Sequence, residues 1–251
     1  MVAKRIISCL DIRGGRTVKG TRFVELCDVG DPVELASRYS GEGIDELVFL
    51  DISATEEERS TTLDVVRRVA KEISIPFTVG GGISSLAHVS KLLEAGADKV
   101  SLNSAAVRNP RLIDQLAAEF GSQCVVVAID TARTEAGDQV FIQSGKIKTS
   151  RETLAWAREV AERGAGEILL TSMDHDGTRE GFALHITARI SQALSIPVIA
   201  SGGAGTVAHF IDVFRQGAAD AALAAGIFHE QVVSVAELKR YLRNEGVEVR
   251  L

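Results

Sequence analysis

The chain has 251 residues, 45% hydrophobic and 25% charged, a balance that supports one sizeable core and argues against disorder. A formal net charge of −6 argues against a broad surface for nucleic acid or anionic membrane, while leaving room for a local cationic pocket for phosphate. Three cysteines without CxxC spacing argue against a disulfide framework and a zinc site, and no run approaches the roughly 18 apolar residues of a membrane span.

The N-terminus MVAKRIISCLD turns charged after a short apolar run and has no signal-peptide core, so a cytoplasmic protein is expected. The first apolar run, 5 to 11, ends at Asp11. A long connection follows, 12 to 31, rich in glycine and carrying Lys19, and is read as a loop. Helical periodicity then appears in PVELASRYSGEG, and a second strand, 46 to 51, ends at Asp51. The helical TTLDVVRRVAKEIS leads to a strand at 76 to 80 and the glycines GGG. SLAHVSKLLEAG leads to a strand at 98 to 102 followed by Leu-Asn-Ser, and PRLIDQLAAEFG closes this half.

The second half repeats the first. The strand CVVVAIDT carries Asp130 as RIISCLDI carries Asp11, and the connection 131 to 150 contains the alternating QVFIQ and then Ser-Gly, the pattern of a small hairpin. Strands at 167 to 172, 197 to 201 and 221 to 225 follow, separated by RETLAWAREVAERG, HITARISQALS and VAHFIDVFRQG, with SVAELKRYLRNEG at the end. Equivalent positions lie 119 to 121 residues apart, as Asp11 to Asp130 and Gly43 to Gly164 show. Eight apolar strands alternating with helices, repeated four by four, predict a single-domain (β/α)8 TIM barrel built from half-barrels 1–121 and 122–251. A doubly wound open sheet is the alternative, but it does not predict a half-repeat.

In such a barrel the residues after each strand meet at one mouth. Asp11 and Asp130, on opposite strands, could protonate one side of a substrate and deprotonate the other; the competing reading is that each caps the next turn. Gly81 and Gly82 after the third strand, and Gly202 and Gly203 after the seventh, leave backbone N–H groups open to an oxyanion, with Asn103, Ser104, Ala225 and Gly226 beside them. Two cradles at matching offsets imply a substrate with a phosphate at each end. Asp174, Asp176 and Thr178 in SMDHDGT read as polar substrate contacts, since the glutamate of a calcium loop is missing. The histidines have no ligand spacing. No metal or other cofactor is expected.

At the opposite end, Arg5, Glu46, Lys99 and Glu167 begin the first, second, fourth and sixth strands, where alternation aims all four inward. Such charges are costly unless paired, and two cations with two anions can close a ring. Such a ring could simply seal the bottom of the barrel.

The segments RIISCLDI, GRTVKG, TVGGGI, KVSLNSAAV, FGSQCVVVAID, GAGEILLTSMDHDGT and IASGGAG together resemble the cyclase subunits of imidazole glycerol phosphate synthases, a family of histidine-biosynthesis enzymes, over essentially the whole chain. The resemblance implies that ammonia and a bis-phosphorylated phosphoribulosyl formimino carboxamide nucleotide give imidazole glycerol phosphate and aminoimidazole carboxamide ribotide, with Asp11 and Asp130 as the acid–base pair. It implies substrate contacts at Lys19, Asn103, Ser104, Ser144, Gly145, Asp176, Gly177, Ser201, Gly203 and Gly226. It also implies an ammonia gate at Arg5, Glu46, Lys99 and Glu167, and a heterodimer with a glutaminase subunit docked on the N-terminal barrel face, with Asp98 as a docking contact. Ala183 departs from the family, where Asp is common, and Gly226 stands where Ser is common. A sister isomerase of the same fold would need both aspartates but no partner, and a phosphometabolite-binding module would need neither aspartate.

Overall fold

A computed structural model describes residues 2–21, 24–52 and 56–251; the side chains of 19–26 and 53–61, that of Lys19 among them, lie outside the described residues. Eight strands form the barrel: β1 (Arg5–Arg13), β2 (Glu46–Asp51), β3 (Phe77–Gly80), β4 (Lys99–Leu102), β5 (Val125–Thr134), β6 (Glu167–Ser172), β7 (Val198–Ser201) and β8 (Ala221–Ala224). Each pairs in parallel with the next, and β8 returns to β1 through Arg5↔Ala221 and Ser8↔Ala224, so the sheet closes.

Strand alternation divides the apolar residues into two shells. Ile7, Cys9, Val48, Val126, Leu169, Ile199, Ala221 and Leu223 meet inside the barrel. The larger shell, including Ile6, Leu10, Phe49, Val127 and Ile168, lies between the strands and the helices. Both faces of the sheet are therefore dry, which is why these strands read as continuous apolar runs.

The connection 12 to 31, read as a loop, is instead a β-hairpin. β1 runs two residues past Asp11, turns at Gly14 and Gly15 (φ +56° and +76°), and pairs antiparallel with Arg16–Thr21, which pairs with Val24–Gly30. Two successive positive-φ glycines match the twist of a two-residue hairpin turn. That signal is present in the sequence at Gly-Gly, but the surrounding Arg and Lys residues obscured the alternation. The connection 131 to 150 is the hairpin expected, with Gly137–Ile142 between β5 and Ile147–Glu152. Two short helices were not anticipated. Ser104–Arg108 follows β4 and Gly226–His229 follows β8, at corresponding places in the two halves.

Ala183 is the N-cap of the helix Leu184–Ala193 and supplies no side-chain hydrogen bond to its first turn. Ala183→Asp is expected to raise the unfolding free energy by about 1 kcal/mol. A urea midpoint that fails to move upward would refute this account of the position.

Candidate active site at the C-terminal mouth of the barrel

Asp11 and Asp130 occupy strands four apart in an eight-stranded ring, and both carboxyls reach the same mouth half-buried. Burial, then the nearby charge of Asp176, raises Asp11 to about 6. Asp130 is also raised to about 6, chiefly by burial, against which the Asn103 amide works by favouring the charged form. Asp176 is itself raised by burial, opposed by the backbone N–H of Gly177. All three carboxyls around the opening are raised, and Asp11 and Asp130, both at about 6, can exchange protons near neutral pH.

The two aspartates are held differently. Asn103 Nδ2 donates to Asp130 Oδ2 at 2.8 Å, whereas among the described residues Asp11 Oδ1 accepts a weak bond from the Cys9 thiol at 3.8 Å. The half-repeat explains the asymmetry: Ala128 stands where Cys9 stands, and Ala225 where Asn103 stands. Neither pairing is legible in the sequence, because one contact forms across strands and the other along one strand face.

The glycines after β3 and β7 have a structural requirement as well as an open backbone. Gly81 has φ +98°, and a Cβ there would sit 1.9 Å from Asp51 O. Gly202 has φ +93°, and its Cβ would lie 2.7 Å from Ser172 O, at the corresponding position of the second half. Gly82 and Gly203 follow at positive φ, so each turn presents bare backbone to the mouth. Ser104 Oγ accepts from Gln143 N at 3.0 Å, which brings the Ser144–Gly145 turn of the second hairpin beside the β4 end. Ala225 and Gly226 form the matching β8 end. Asp176 and Gly177 belong to the turn after β6, anchored by Asp176 N to Ser172 O at 2.9 Å. Its neighbours turn elsewhere: Asp174 accepts from Arg133 N at 2.8 Å, and Thr178 Oγ1 donates to His175 O at 2.8 Å.

The four charges at the other end do close a ring. Arg5 donates to Glu46 Oε1 at 2.6 Å and to Glu167, while Lys99 Nζ lies 3.1 Å from both Glu46 Oε2 and Glu167 Oε2. Burial works against the charge on Arg5, but the hydrogen bonds and charges of Glu167 and Glu46 outweigh it and raise its pKa. Asp98, exposed beside the ring, accepts from Phe77 N at 2.8 Å and so ties β4 to β3. Asp220 does the same for Val198 N in the second half.

A family described as histidine biosynthesis protein matches residues 5–234. The chain is similar to the imidazole glycerol phosphate synthase subunit HisF of Flavobacterium johnsoniae, 61% identical over the full length of both chains. It is similarly related to proteins of that name from Anoxybacillus flavithermus, 58% identical over the full length of both, and from Campylobacter concisus, 59% identical over 99% of this chain and 98% of that one.

Proposed function

This chain belongs to the histidine biosynthesis protein family, and we propose that it is the cyclase subunit of an imidazole glycerol phosphate synthase. Ammonia adds to the ketone of the bis-phosphorylated ribulosyl substrate, water leaves, and proton transfers drive ring closure with cleavage of the old C–N bond. The observation that carries this reading is the placement of Asp11 and Asp130 at one mouth, raised alike to about 6 and flanked by two glycine turns. One carboxyl can give a proton while the other takes one.

The turns at Gly81–Gly82 and Gly202–Gly203, with Ser104, Ser144, Gly145, Ala225 and Gly226, hold the two phosphates. Asn103, Asp176 and Gly177 contact the substrate between them, and Lys19 covers one end. Matching offsets of the Asp51–Gly81 and Ser172–Gly202 contacts support two half-barrels, 1–121 and 122–251. The curated relatives are named as subunits. The partner proposed is a glutaminase docked on the N-terminal face near Asp98, whose ammonia enters through the ring of Arg5, Glu46, Lys99 and Glu167.

Supplying the bis-phosphorylated ketose with ammonium salt at high pH and following loss of the formimino chromophore tests the activity. Turnover with ammonium, and none with glutamine when the partner is omitted, is the expected result. Isomerisation of the aldose precursor without use of ammonia would replace this reading by that of an isomerase.

A further inference from the structure

The turn after β7 has glycine at 202, 203 and 205, and glycine has the widest backbone freedom of any residue. Such a turn offers its N–H groups to a phosphate in one arrangement only where its surroundings hold it. Gly203, at φ +100°, interlocks with the loop after β6: Gly181 N donates to Gly203 O at 2.8 Å, and a Cβ at Gly203 would stand 2.0 Å from Gly181 O. Gly205 lies so close to the same loop that its Cβ would stand 2.3 Å from Arg179 O. A third contact comes from a side chain, because Gly205 N donates to His209 Nδ1 at 3.1 Å.

An amide N–H can only donate, so Nδ1 accepts and Nε2 carries the ring proton. The same ring backs the other interlock, since a Cβ at Gly181 would stand 3.7 Å from His209 Cδ2. His209 thus supports Gly205 directly and Gly203 through Gly181.

The half-repeat shows that the barrel does not require this arrangement. His88 is the counterpart of His209 (209 − 88 = 121), each being the third residue of the helix after a glycine turn. In the first half Ser85 caps the helix Leu86–Glu94 by accepting from His88 N. In the second half the N-cap Thr206 makes no side-chain bond to the helix Val207–Arg215, and the His209 ring reaches back past it to Gly205. Capping alone could be served by the Thr206 hydroxyl. The reach to Gly205 serves the turn.

From this geometry we infer that His209 is a positioning residue for the phosphate held after β7: its Nδ1 holds Gly205 and so sets the backbone of Gly202–Gly203 before substrate arrives. The inference rests on the cyclase reading above, which puts a phosphate at this turn, and adds the side chain that orders it. A turn ordered in advance spares binding the entropy of ordering it.

The test supplies the intact chain with ammonium salt and the bis-phosphorylated ketose, records kcat and KM, and measures binding of the ketose without ammonia by calorimetry. His209→Ala is expected to weaken binding and raise KM by about two- to tenfold, the loss of one hydrogen bond, with kcat unchanged. His209→Asn, whose Oδ1 can stand where Nδ1 stands, should restore both. A lower urea midpoint in His209→Ala with binding and KM unchanged would make His209 a helix cap and overturn the inference. So would a loss of kcat at unchanged KM, or a weakening that Asn does not restore, which assigns the ring to packing against Gly181. A parent chain that neither binds nor turns over the ketose sinks the cyclase reading and this inference with it. A parent that does both, matched by His209→Ala, sinks the inference alone.

Discussion

Replacing Asp11 or Asp130 by asparagine is expected to lower kcat by about 10²–10⁴-fold while leaving KM for the bis-phosphorylated substrate within about tenfold. Asparagine keeps the shape and the hydrogen-bonding reach of the carboxyl but neither takes nor gives a proton. The glycine turns follow β3 and β7, away from both substitutions. Retained turnover in either variant removes that residue from the chemistry.

The same substitution has a second signature of opposite sign. Asp11 titrates near 6 in the folded protein, above its ordinary value of 3.8, because burial disfavours the carboxylate. The folded state therefore holds a proton that the unfolded chain releases between about pH 4 and 6, and stability is lost as pH rises through that window. At pH 7 Asp11→Asn escapes this penalty and is expected to be more stable than the parent by on the order of 2 kcal/mol, with the gain shrinking towards pH 4. Denaturant unfolding at pH 4 and pH 7 measures both. An inactive variant that is also no more stable at pH 7 would contradict burial as the source of the raised pKa.

The largest loss of stability is expected at Lys239, far from the mouth. It lies on the C-terminal helix Val235–Asn244, on the side that faces the barrel, and only 4% of it is exposed. Its ammonium donates to Gly43 O at 2.6 Å and to Asp45 Oδ1 at 2.7 Å. The other oxygen of Asp45 accepts from Ile6 N at 2.7 Å. One buried carboxylate thus joins the start of β2, the start of β1 and the last helix, where the two ends of the chain must meet to close the ring. Lys239→Met removes the cation and leaves the carboxylate buried and half-satisfied, which costs about 3–5 kcal/mol. Adding Asp45→Asn to Lys239→Met should recover part of that loss, because the stranded charge is gone. A urea midpoint in Lys239→Met equal to that of the parent would show that the pair contributes nothing.

Much of the site was legible because it depends on sequence order. Asp11 and Asp130 end corresponding apolar runs, and the glycine turns and charged strand starts recur at near-constant offsets, so a closed barrel gathers them without further information. Arg5, Glu46, Lys99 and Glu167 illustrate the logic: inward alternation at four strand starts leaves charge pairing as the only economical arrangement. The hairpin after β1 is hard to read from the sequence because its register is set by paired positive-φ glycines rather than by an apolar pattern. Likewise, Lys239 reads as an ordinary helix lysine; its burial depends on how the last helix packs over the β1–β2 junction.

The sequence by itself determined the barrel, its twofold repetition, the paired aspartates and the ring of four charges, since strand periodicity and offset are local properties of the chain. The tertiary structure decided which partner each group meets. Asn103 bonds Asp130 while its counterpart Ala225 has no side-chain donor for Asp11, Cys9 lies beneath Asp11, and Ser101 Oγ has no hydrogen-bond partner among the described residues. Those contacts join neighbouring strands or successive inward faces, and their effects on proton affinity come from burial and distance. Both arise only when the barrel closes.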